Sequence, residues 1–211
     1  MVQILKESVR SQIAEAAESQ FAKVGFKKAT VGSIAEEADV ATGTIYKYFK
    51  NKAALFNAVV SNEFVEEFFR LTRCRITEFE KSQGVDPNLS HREGEAGKLL
   101  HFWIRNRRKV IILLARSKGT KYESFGRKYV QEMADQAIAQ ASQQYHQLEI
   151  SDLLRFMLEK SLADSVRGIV SILEHFEDEE SIFEAFEAGT AYHLGGIASL
   201  VKWACKERRS E

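Results

Sequence analysis

The sequence predicts an all-α protein. Apolar residues recur at spacings of three and four through most of the 211 residues, which is the period of an amphipathic helix. The chain contains a single proline, Pro87, and one clear turn-rich segment around it, at 83–90. An all-β chain of this length would need many such turns. Because 45% of the residues are hydrophobic, the helices can bury a sizeable core.

Composition and charge exclude several classes of protein. The longest unbroken apolar run, from Val110 to Ala115, is far shorter than the roughly 20 residues that span a bilayer. The polar N-terminus lacks the apolar core of a signal peptide, and the two cysteines form neither a disulfide framework nor a CxxC motif. We therefore expect a cytoplasmic protein. Lys plus Arg and Asp plus Glu each number 30, so the net charge of zero indicates no particular partner.

Two helices are predicted near the N-terminus. The first has one apolar stripe and ends at Gly25, since glycine readily takes the left-handed conformation that closes a helix. The second begins after Thr30, whose hydroxyl can cap it. The apolar stripes of the two helices are Ile13, Ala17, Phe21 and Val24, and Val31, Ile34, Ala35 and Ala38.

A third helix, from about Thr42 to Tyr48, follows a break at residues 39–41. Ile45 and Phe49 are expected to face inward from it, which leaves polar side chains outside. These outward side chains are Thr42, Thr44, Tyr46, Lys47 and Tyr48. Two short helices joined by a short turn, the second with an exposed hydroxyl and ammonium face, form the helix-turn-helix arrangement that enters the major groove of DNA.

The remainder of the chain is predicted to be helical. A long helix should run from Lys50 or Asn51 to about Lys81, before the turn-rich segment. Further helices are predicted over 93–105, 107–116, 121–146, 151–176 and 180–207.

The residues from Ile13 to Phe56 closely resemble the DNA-binding domain of the TetR family of bacterial transcriptional repressors. The matching elements are Ile13–Ala17, Phe21, Gly25-Phe26, Ala29-Thr30-Val31, Ile34-Ala35, Ala38, Val40, the run from Gly43 to Phe49, Lys52 and Leu55-Phe56. The resemblance implies a three-helix helix-turn-helix DNA-binding domain over residues 1–52. It also implies a helical-bundle domain for effector binding and dimerisation over residues 53–211.

The same resemblance implies which side chains meet DNA. They are Thr30, Thr42, Gly43, Thr44, Tyr46, Lys47, Tyr48 and Lys52. A second interpretation makes Tyr46 and Tyr48 core aromatics with wet tips. The chain departs from the family pattern at Asp39, where glycine is common, and at Ala41, where a serine cap is common. Asp tolerates the left-handed turn conformation, whereas Ala41 offers no hydroxyl, so Thr42 could take the place of the cap.

By resemblance, the second domain holds an effector pocket and a dimer interface. The pocket residues would be Phe102, Trp103, Tyr122, Phe125, Tyr129, Met133 and Phe156, although the same spacing fits an ordinary core. The interface residues would be Leu158, Leu162, Ile169, Ile172, Phe176, Tyr192, Gly195, Gly196 and Ser199. Glycines inside the last helix are costly, so they indicate close backbone approach, either from a second subunit or within one.

The predicted function is therefore ligand-responsive transcription regulation. A homodimeric repressor would bind a palindromic operator in double-stranded DNA and leave it when a small, largely apolar effector binds. No enzyme motif occurs, and we expect no catalytic activity, no cofactor, no metal and no membrane partner. Two alternatives remain at this level: an effector-independent DNA-binding protein acting in cell division or chromosome organisation, and an enzyme or scaffold that only shares the helical bundle.

Overall fold

The computed structural model describes residues 2–81, 93–145 and 148–206, and this part of the chain is helical, without strands. The predicted all-α class is confirmed, and the predicted loop at 83–90 lies outside the described residues. The helices are α1 Val2–Lys28, α2 Val31–Glu37, α3 Thr42–Tyr48, α4 Lys52–Val59, α5 Asn62–Lys81, α6 Gly94–Arg105, α7 Arg107–Ile111, a π-helical segment Ile112–Arg116, α8 Phe125–Gln144, α9 Asp152–His175 and α10 Glu179–Lys206. Among these helices, none has the length and apolar character needed to cross a membrane.

The chain divides into two compact units. The first contains residues 1–69 and 106–124, and the second contains residues 70–105 and 125–211. Neither unit is continuous in sequence, because the segment with α7 and the π-helix packs against α1. The predicted boundary at residue 52 separates a DNA-binding domain from a domain for effector binding and dimerisation. This functional division stays a prediction.

The core of the first unit is built on α1. Ile13, Ala17 and Phe21 are fully buried at a spacing of four. The next position at that spacing is Gly25, whose φ of 81° interrupts the helix as predicted. Val24, which the sequence placed in this stripe, is instead 37% exposed, because the buried stripe advances by four residues and passes through Gly25.

The predicted long helix over residues 50–81 is two helices, which corrects that expectation. Val60 leaves the helical conformation, with φ −108° and ψ 83°, so α4 ends at Val59. Ser61 then caps α5, since its Oγ accepts a hydrogen bond from the backbone N–H of Phe64 at 3.2 Å. A serine three residues before an apolar position was the available sequence signal for this break.

Helix α8 also begins later in the chain than predicted. The predicted helix over 121–146 begins only at Phe125, because residues 117–124 fold into turns. In these turns the hydroxyl of Ser117 donates to the carbonyl oxygen of Tyr122 at 2.9 Å, and the hydroxyl of Thr120 donates to the carbonyl oxygen of Ser117 at 2.7 Å.

The second unit contains α9 packed against α8 and α10. Leu154, Leu158 and Leu162 are almost completely buried along one side of α9. Ser151 caps this helix by accepting a hydrogen bond from the N–H of Leu154 at 3.2 Å. The boundaries of α6, α9 and α10 fall within one residue of the predicted ones, because caps and apolar period define them locally.

Candidate functional site

The first half of the site is α2 and the turn that follows it. Thr30 caps α2 in a reciprocal arrangement: its Oγ1 accepts from the N–H of Ser33 at 3.0 Å, and the N–H of Thr30 donates to Oγ of Ser33 at 3.2 Å. Asp39 takes a left-handed conformation with φ 48°, so the turn expected at this position is confirmed. The cap and the turn fix both ends of α2.

Buried side chains at the far end of α3 hold that helix in place. Ile45 is 2% and Phe49 is 5% exposed, as predicted. Arg10 of α1 lies over the Phe49 ring, 5.6 Å from its centroid, and the Gln12 amide donates to the carbonyl oxygen of Ala38 at 2.8 Å. Sequence reasoning missed both α1 residues, because neither belongs to an apolar stripe or a local cap.

The start of α3 has no side-chain cap. Ala41 occupies the cap position without a side-chain hydrogen bond. Thr42 is the first helical residue, so the expectation that it replaces the cap is wrong. The first N–H groups of α3 therefore have no acceptor from a capping side chain.

The outward surface of α3 carries most of the predicted DNA contacts. Thr42, Gly43, Tyr46 and Lys47 are exposed, while Thr44 and Tyr48 are half-buried. Tyr46 is 55% exposed, which removes its interpretation as a core aromatic. A Cβ added at Gly43 would meet nothing within 4 Å. This surface offers hydroxyl and ammonium donors, and at Gly43 no side chain covers the backbone. Contacts to phosphates and bases require such donors.

Lys52 has a structural role that the sequence did not reveal. Its Nζ donates to the carbonyl oxygens of Phe26 and Ala29, both at 2.8 Å, and lies 4.5 Å from the centroid of the Phe26 ring. Burial lowers the pKa of Lys52. Since an ammonium group has three N–H donors, one remains for the predicted phosphate contact. Lys52 thus joins the start of α4 to the segment that runs from the kink in α1 to the start of α2.

A partly open cavity of about 600 Å³ lies within the second unit, between α5, α6, α8, α9 and α10. Three of the seven predicted pocket residues line it, namely Trp103, Tyr129 and Met133. Burial raises the pKa of Tyr129 to about 12; its hydrogen bond with Thr72 acts in the opposite direction. Gln136 also reaches the wall, and its Oε1 is buried without a hydrogen-bond partner in the part of the chain that the structure describes.

The other four predicted pocket residues lie elsewhere. Phe156 is 61% exposed, on the side of α9 that faces away from the core. Tyr122 belongs to the first unit, where its hydroxyl donates to Oδ1 of Asn62 at 2.7 Å. Phe125 is buried and stacks on Tyr129 with 6.3 Å between ring centroids, and neither it nor Phe102 lines the cavity. Helical spacing could not determine which aromatic residues face the cavity.

Two predicted interface residues are buried in the core of the subunit, which corrects their assignment, and two more line the cavity. Leu158 is 1% and Leu162 is 4% exposed, so both are core residues. Leu162, Ile169 and Ile172 line the cavity. Phe176, just beyond the end of α9, is half-buried and stacks edge-on with His175, its ring centroid 4.7 Å away.

The exposed sides of α9 and α10 carry large apolar residues. We call this surface the outer face. Its members are Leu153, Phe156 and Met157 on α9 and Tyr192, Gly195, Gly196, Ser199 and Trp203 on α10. Tyr192 is 79% exposed. A Cβ added at Gly195 or Gly196 would meet nothing within 4 Å, so packing inside the subunit does not require glycine at either position.

A capped helix, a left-handed turn and a second helix with exposed donors define a helix-turn-helix domain, the class of protein that binds DNA through its second helix. Residues 13–59 match the sequence family described as "Bacterial regulatory proteins, tetR family". This match confirms the predicted resemblance of the N-terminal segment to the TetR family.

Two curated relatives match the chain over 56 and 48 residues. Over 56 residues the chain is 45% identical to the HTH-type transcriptional regulator TtgR of Pseudomonas putida, which covers 26% of this chain and 27% of that protein. Over 48 residues it is 46% identical to the probable acrEF/envCD operon repressor of Escherichia coli, covering 23% and 22%. The matches thus span about a quarter of the length of these relatives. A solved structure described as the fatty acid degradation regulator FadR from Bacillus halodurans aligns over 89% of this chain and 95% of its own, with 22% identity and a TM-score of 0.48.

Proposed function

We propose that this protein is a transcriptional repressor that binds a palindromic operator as a homodimer and is released from it by a small-molecule effector. The exposed surface of α3 is the observation that carries the proposal. Thr42, Tyr46 and Lys47 extend from a helix whose opposite side is fixed by Ile45 and Phe49. A helix held in this way can enter the major groove, with its N-terminal residues at base edges and its flanks on phosphates.

The outer face supports the homodimer. It exposes five large apolar side chains on two helices, and exposed apolar surface on this scale is a candidate interaction site. Gly195 and Gly196 also support a dimer, since each glycine inside a helix costs about 1 kcal/mol relative to alanine. Their open surroundings suit the close approach of a helix from a second subunit. A two-fold dimer would present two α3 helices about 34–36 Å apart, one for each half-site of a palindrome.

The cavity supports response to an effector. Its volume of about 600 Å³ falls in the range of small-molecule sites, roughly 300–1,000 Å³, and its wall is mainly apolar. An effector-independent DNA-binding protein would need no such space, so the cavity favours the ligand-responsive alternative. Repression rather than activation is supported by the relative from Escherichia coli, which is described as a probable operon repressor.

The proposed switch is a change in equilibrium between two conformations. Effector binding favours the one in which the two α3 helices no longer match the operator. A hundredfold loss of operator affinity needs only about 2.8 kcal/mol of coupling. Some element must couple the cavity to the DNA-binding domain, and α4 and α5 lie where the sequence predicted one long helix. We assign this coupling to α5, because this helix contributes residues to both compact units and because Thr72, near its middle, lines the cavity.

Selection of binding sites from a random duplex library tests the DNA-binding proposal. We expect the wild-type protein to enrich a palindromic sequence. Thr42→Val and Thr44→Val should change the enriched sequence, because they remove hydroxyls at the groove-facing start of α3. Tyr46→Phe should instead weaken binding to all sequences about equally, since a phosphate contact does not read bases. If the protein retains no DNA at low ionic strength, the proposed function is wrong.

A further inference from the structure

We propose that the cavity binds an elongated, uncharged molecule whose apolar body carries hydrogen-bonding groups spaced along one edge. This inference rests on the proposed effector response and names the chemical class of the effector. Two features of the cavity wall lead to it: a row of glutamine side chains on α8, and an apolar surface on α10 at the same end of the cavity.

Three glutamines on α8 follow one another along the cavity wall. They are Gln136, Gln140 and Gln144, and we call them the amide row. Their spacing of four places them on successive turns of the helix, about 6 Å apart, so the row is about 12 Å long. Between its ends the other lining residues of α8 are Ala137 and Ala141, whose side chains are too short to cover the amides. The cavity wall is therefore polar along this section of α8.

The amides of this row are available to a ligand. No side-chain hydrogen bond joins any of the three to another residue in the described part of the chain, and Oε1 of Gln136 is buried without a partner there. A buried oxygen without a hydrogen bond costs free energy in the unliganded protein. The terminal torsion of glutamine is soft, so each amide can present either its oxygen or its NH₂ group to the cavity. Hydroxyl or amide groups of a ligand would supply the missing partners.

The wall that α10 contributes at this end of the cavity is apolar. Ile197 of α10 packs against a hydrophobic cluster that contains Ile138 of α8, so these segments of the two helices lie at the same level. From Leu194 to Val201 the lining residues of α10 are all apolar. A ligand that fills this end of the cavity contacts amides on α8 and hydrocarbon on α10. Such a ligand must be polar along one edge and apolar along another.

The amide row favours an uncharged ligand. A glutamine side chain donates and accepts hydrogen bonds but carries no charge. An ion placed against the row would lose its hydration without gaining a counter-charge, which costs far more than the transfer of a hydroxyl group. Arg75 and Lys202 also line the cavity, but Lys202 is exposed and Arg75 already interacts with another residue of the chain. We therefore assign neither charge to the ligand.

Calorimetric titration of the purified full-length protein with three probes of equal chain length tests the inference. The probes are decane-1,10-diol, its isomer decane-1,2-diol and decanedioate, measured without DNA at neutral pH. In its extended form decane-1,10-diol holds its two hydroxyl groups about as far apart as the ends of the amide row. The isomer has both hydroxyl groups at one end, and decanedioate carries charges in their place.

We expect one decane-1,10-diol per subunit, bound at least about tenfold more tightly than either other probe, a difference of about 1.4 kcal/mol. An ordinary apolar cavity with a polar mouth would instead favour decane-1,2-diol, which can leave both hydroxyl groups in water. Equal affinities for the three probes, tighter binding of decane-1,2-diol or decanedioate, or no binding of decane-1,10-diol would overturn the inference.

Two adjacent glutamines provide a matched pair of variants. Gln143 and Gln144 are both exposed at the end of α8, but of the two only Gln144 lines the cavity. Gln144→Leu should reduce the affinity for decane-1,10-diol about tenfold, because one hydroxyl group loses its partner. Gln143→Leu should leave this affinity unchanged. Equal affinities in the two variants would contradict the role of the amide row.

Gln136→Leu separates binding from folding. The substitution keeps the approximate size of the side chain and removes an oxygen that has no hydrogen bond to lose among the described residues. We expect the midpoint of urea unfolding to stay the same or rise, while the affinity for decane-1,10-diol falls about tenfold. A lower midpoint together with unchanged binding would show that this amide serves the fold, and the inference would be wrong.

The outcome for the effector response is separate. If decane-1,10-diol binds with the expected preference but leaves operator affinity unchanged, the proposed effector response fails and the ligand class stands. If the protein binds its operator but decane-1,10-diol does not bind to the cavity, the ligand class fails and the DNA-binding function stands.

Discussion

Gly43, in the first turn of α3, has no packing reason to be glycine. Its backbone is helical, and an added Cβ would meet open space. Because glycine is the weakest helix former apart from proline, alanine would stabilise the free protein. In the proposed function, DNA approaches the backbone of α3 at this position, which would account for the absent side chain.

Replacing Gly43 with alanine should therefore separate stability from binding. We expect Gly43→Ala to raise the free energy of unfolding by up to about 1 kcal/mol and to weaken operator binding at least about tenfold. Urea unfolding and fluorescence anisotropy with labelled operator measure the two effects. Gly168→Ala is the control, since its Cβ would meet Nε2 of His193 at an ordinary 3.8 Å, outside the helix-turn-helix. Unchanged operator affinity in Gly43→Ala would contradict close approach.

The buried hydroxyl of Tyr129 should make the free energy of unfolding depend on pH in the alkaline range. Its pKa is raised by burial from 10.0 to about 12 in the native state. Between these values the native state keeps a proton that the unfolded chain loses, so stability falls as the pH rises through this window. The full effect is roughly 2–3 kcal/mol. We expect Tyr129→Phe to flatten the dependence of unfolding free energy on pH between 10 and 12, measured by denaturant unfolding. An equally steep dependence in this variant would show that Tyr129 is not its source.

At the scale of secondary-structure elements, Lys52 connects three helices. Its ammonium group holds the carbonyl oxygens of Phe26 and Ala29, which lie between the kink in α1 and the start of α2, while its own backbone begins α4. A lysine that only bound phosphate would not affect stability. One that also satisfies two carbonyl groups of the protein stabilises the arrangement of these helices.

Removing this ammonium group should destabilise the protein before any DNA is added. We expect Lys52→Met to lower the free energy of unfolding by about 1–2 kcal/mol, because two carbonyl oxygens lose their charged donor. Lys50→Met, at an exposed neighbouring position, should leave stability unchanged. Thermal and urea unfolding provide the comparison. If Lys52→Met unfolds like the wild-type protein and only the salt dependence of DNA binding changes, the lysine acts on phosphate alone.

At the scale of the whole molecule, the outer face determines the proposed assembly. Apolar side chains on both α9 and α10 extend away from the core of the subunit. On α10, Gly195 and Gly196 leave room for another helix. Burial of this face in a two-fold dimer would cover the exposed apolar area. The dimer would also contain two helix-turn-helix domains, one from each subunit.

A charge on this face should dissociate the dimer. We expect Tyr192→Glu to reduce the mass measured by light scattering from two subunits of 24.0 kDa to one, because the side chain is 79% exposed in the subunit and would be buried without a counter-charge in the dimer. Affinity for a palindromic operator should fall in parallel. Lys128→Glu, an exposed charge reversal on α8, should remain dimeric. A wild-type protein that is monomeric at micromolar concentration would refute the dimer.

The sequence by itself determined the elements whose causes are local. The cap at Thr30, the left-handed turn at Asp39 and the burial of Ile45 follow from hydrogen bonds and apolar spacing within a few residues. These local features, together with the resemblance to a known family, were enough to predict the all-α class and the exposed surface of α3. The ends of α9 and α10 were predictable for the same reason.

Only the tertiary structure decided which neighbour each side of a helix meets. Helix α9 is apolar on more than one side, so its periodicity could not tell that Ile169 faces the cavity while Phe156 lies on the outer face. Nor could spacing reveal that Lys52 reaches carbonyl groups more than twenty residues earlier in the chain. Periodicity specifies that a helix side is apolar, whereas its partner depends on how distant segments pack together.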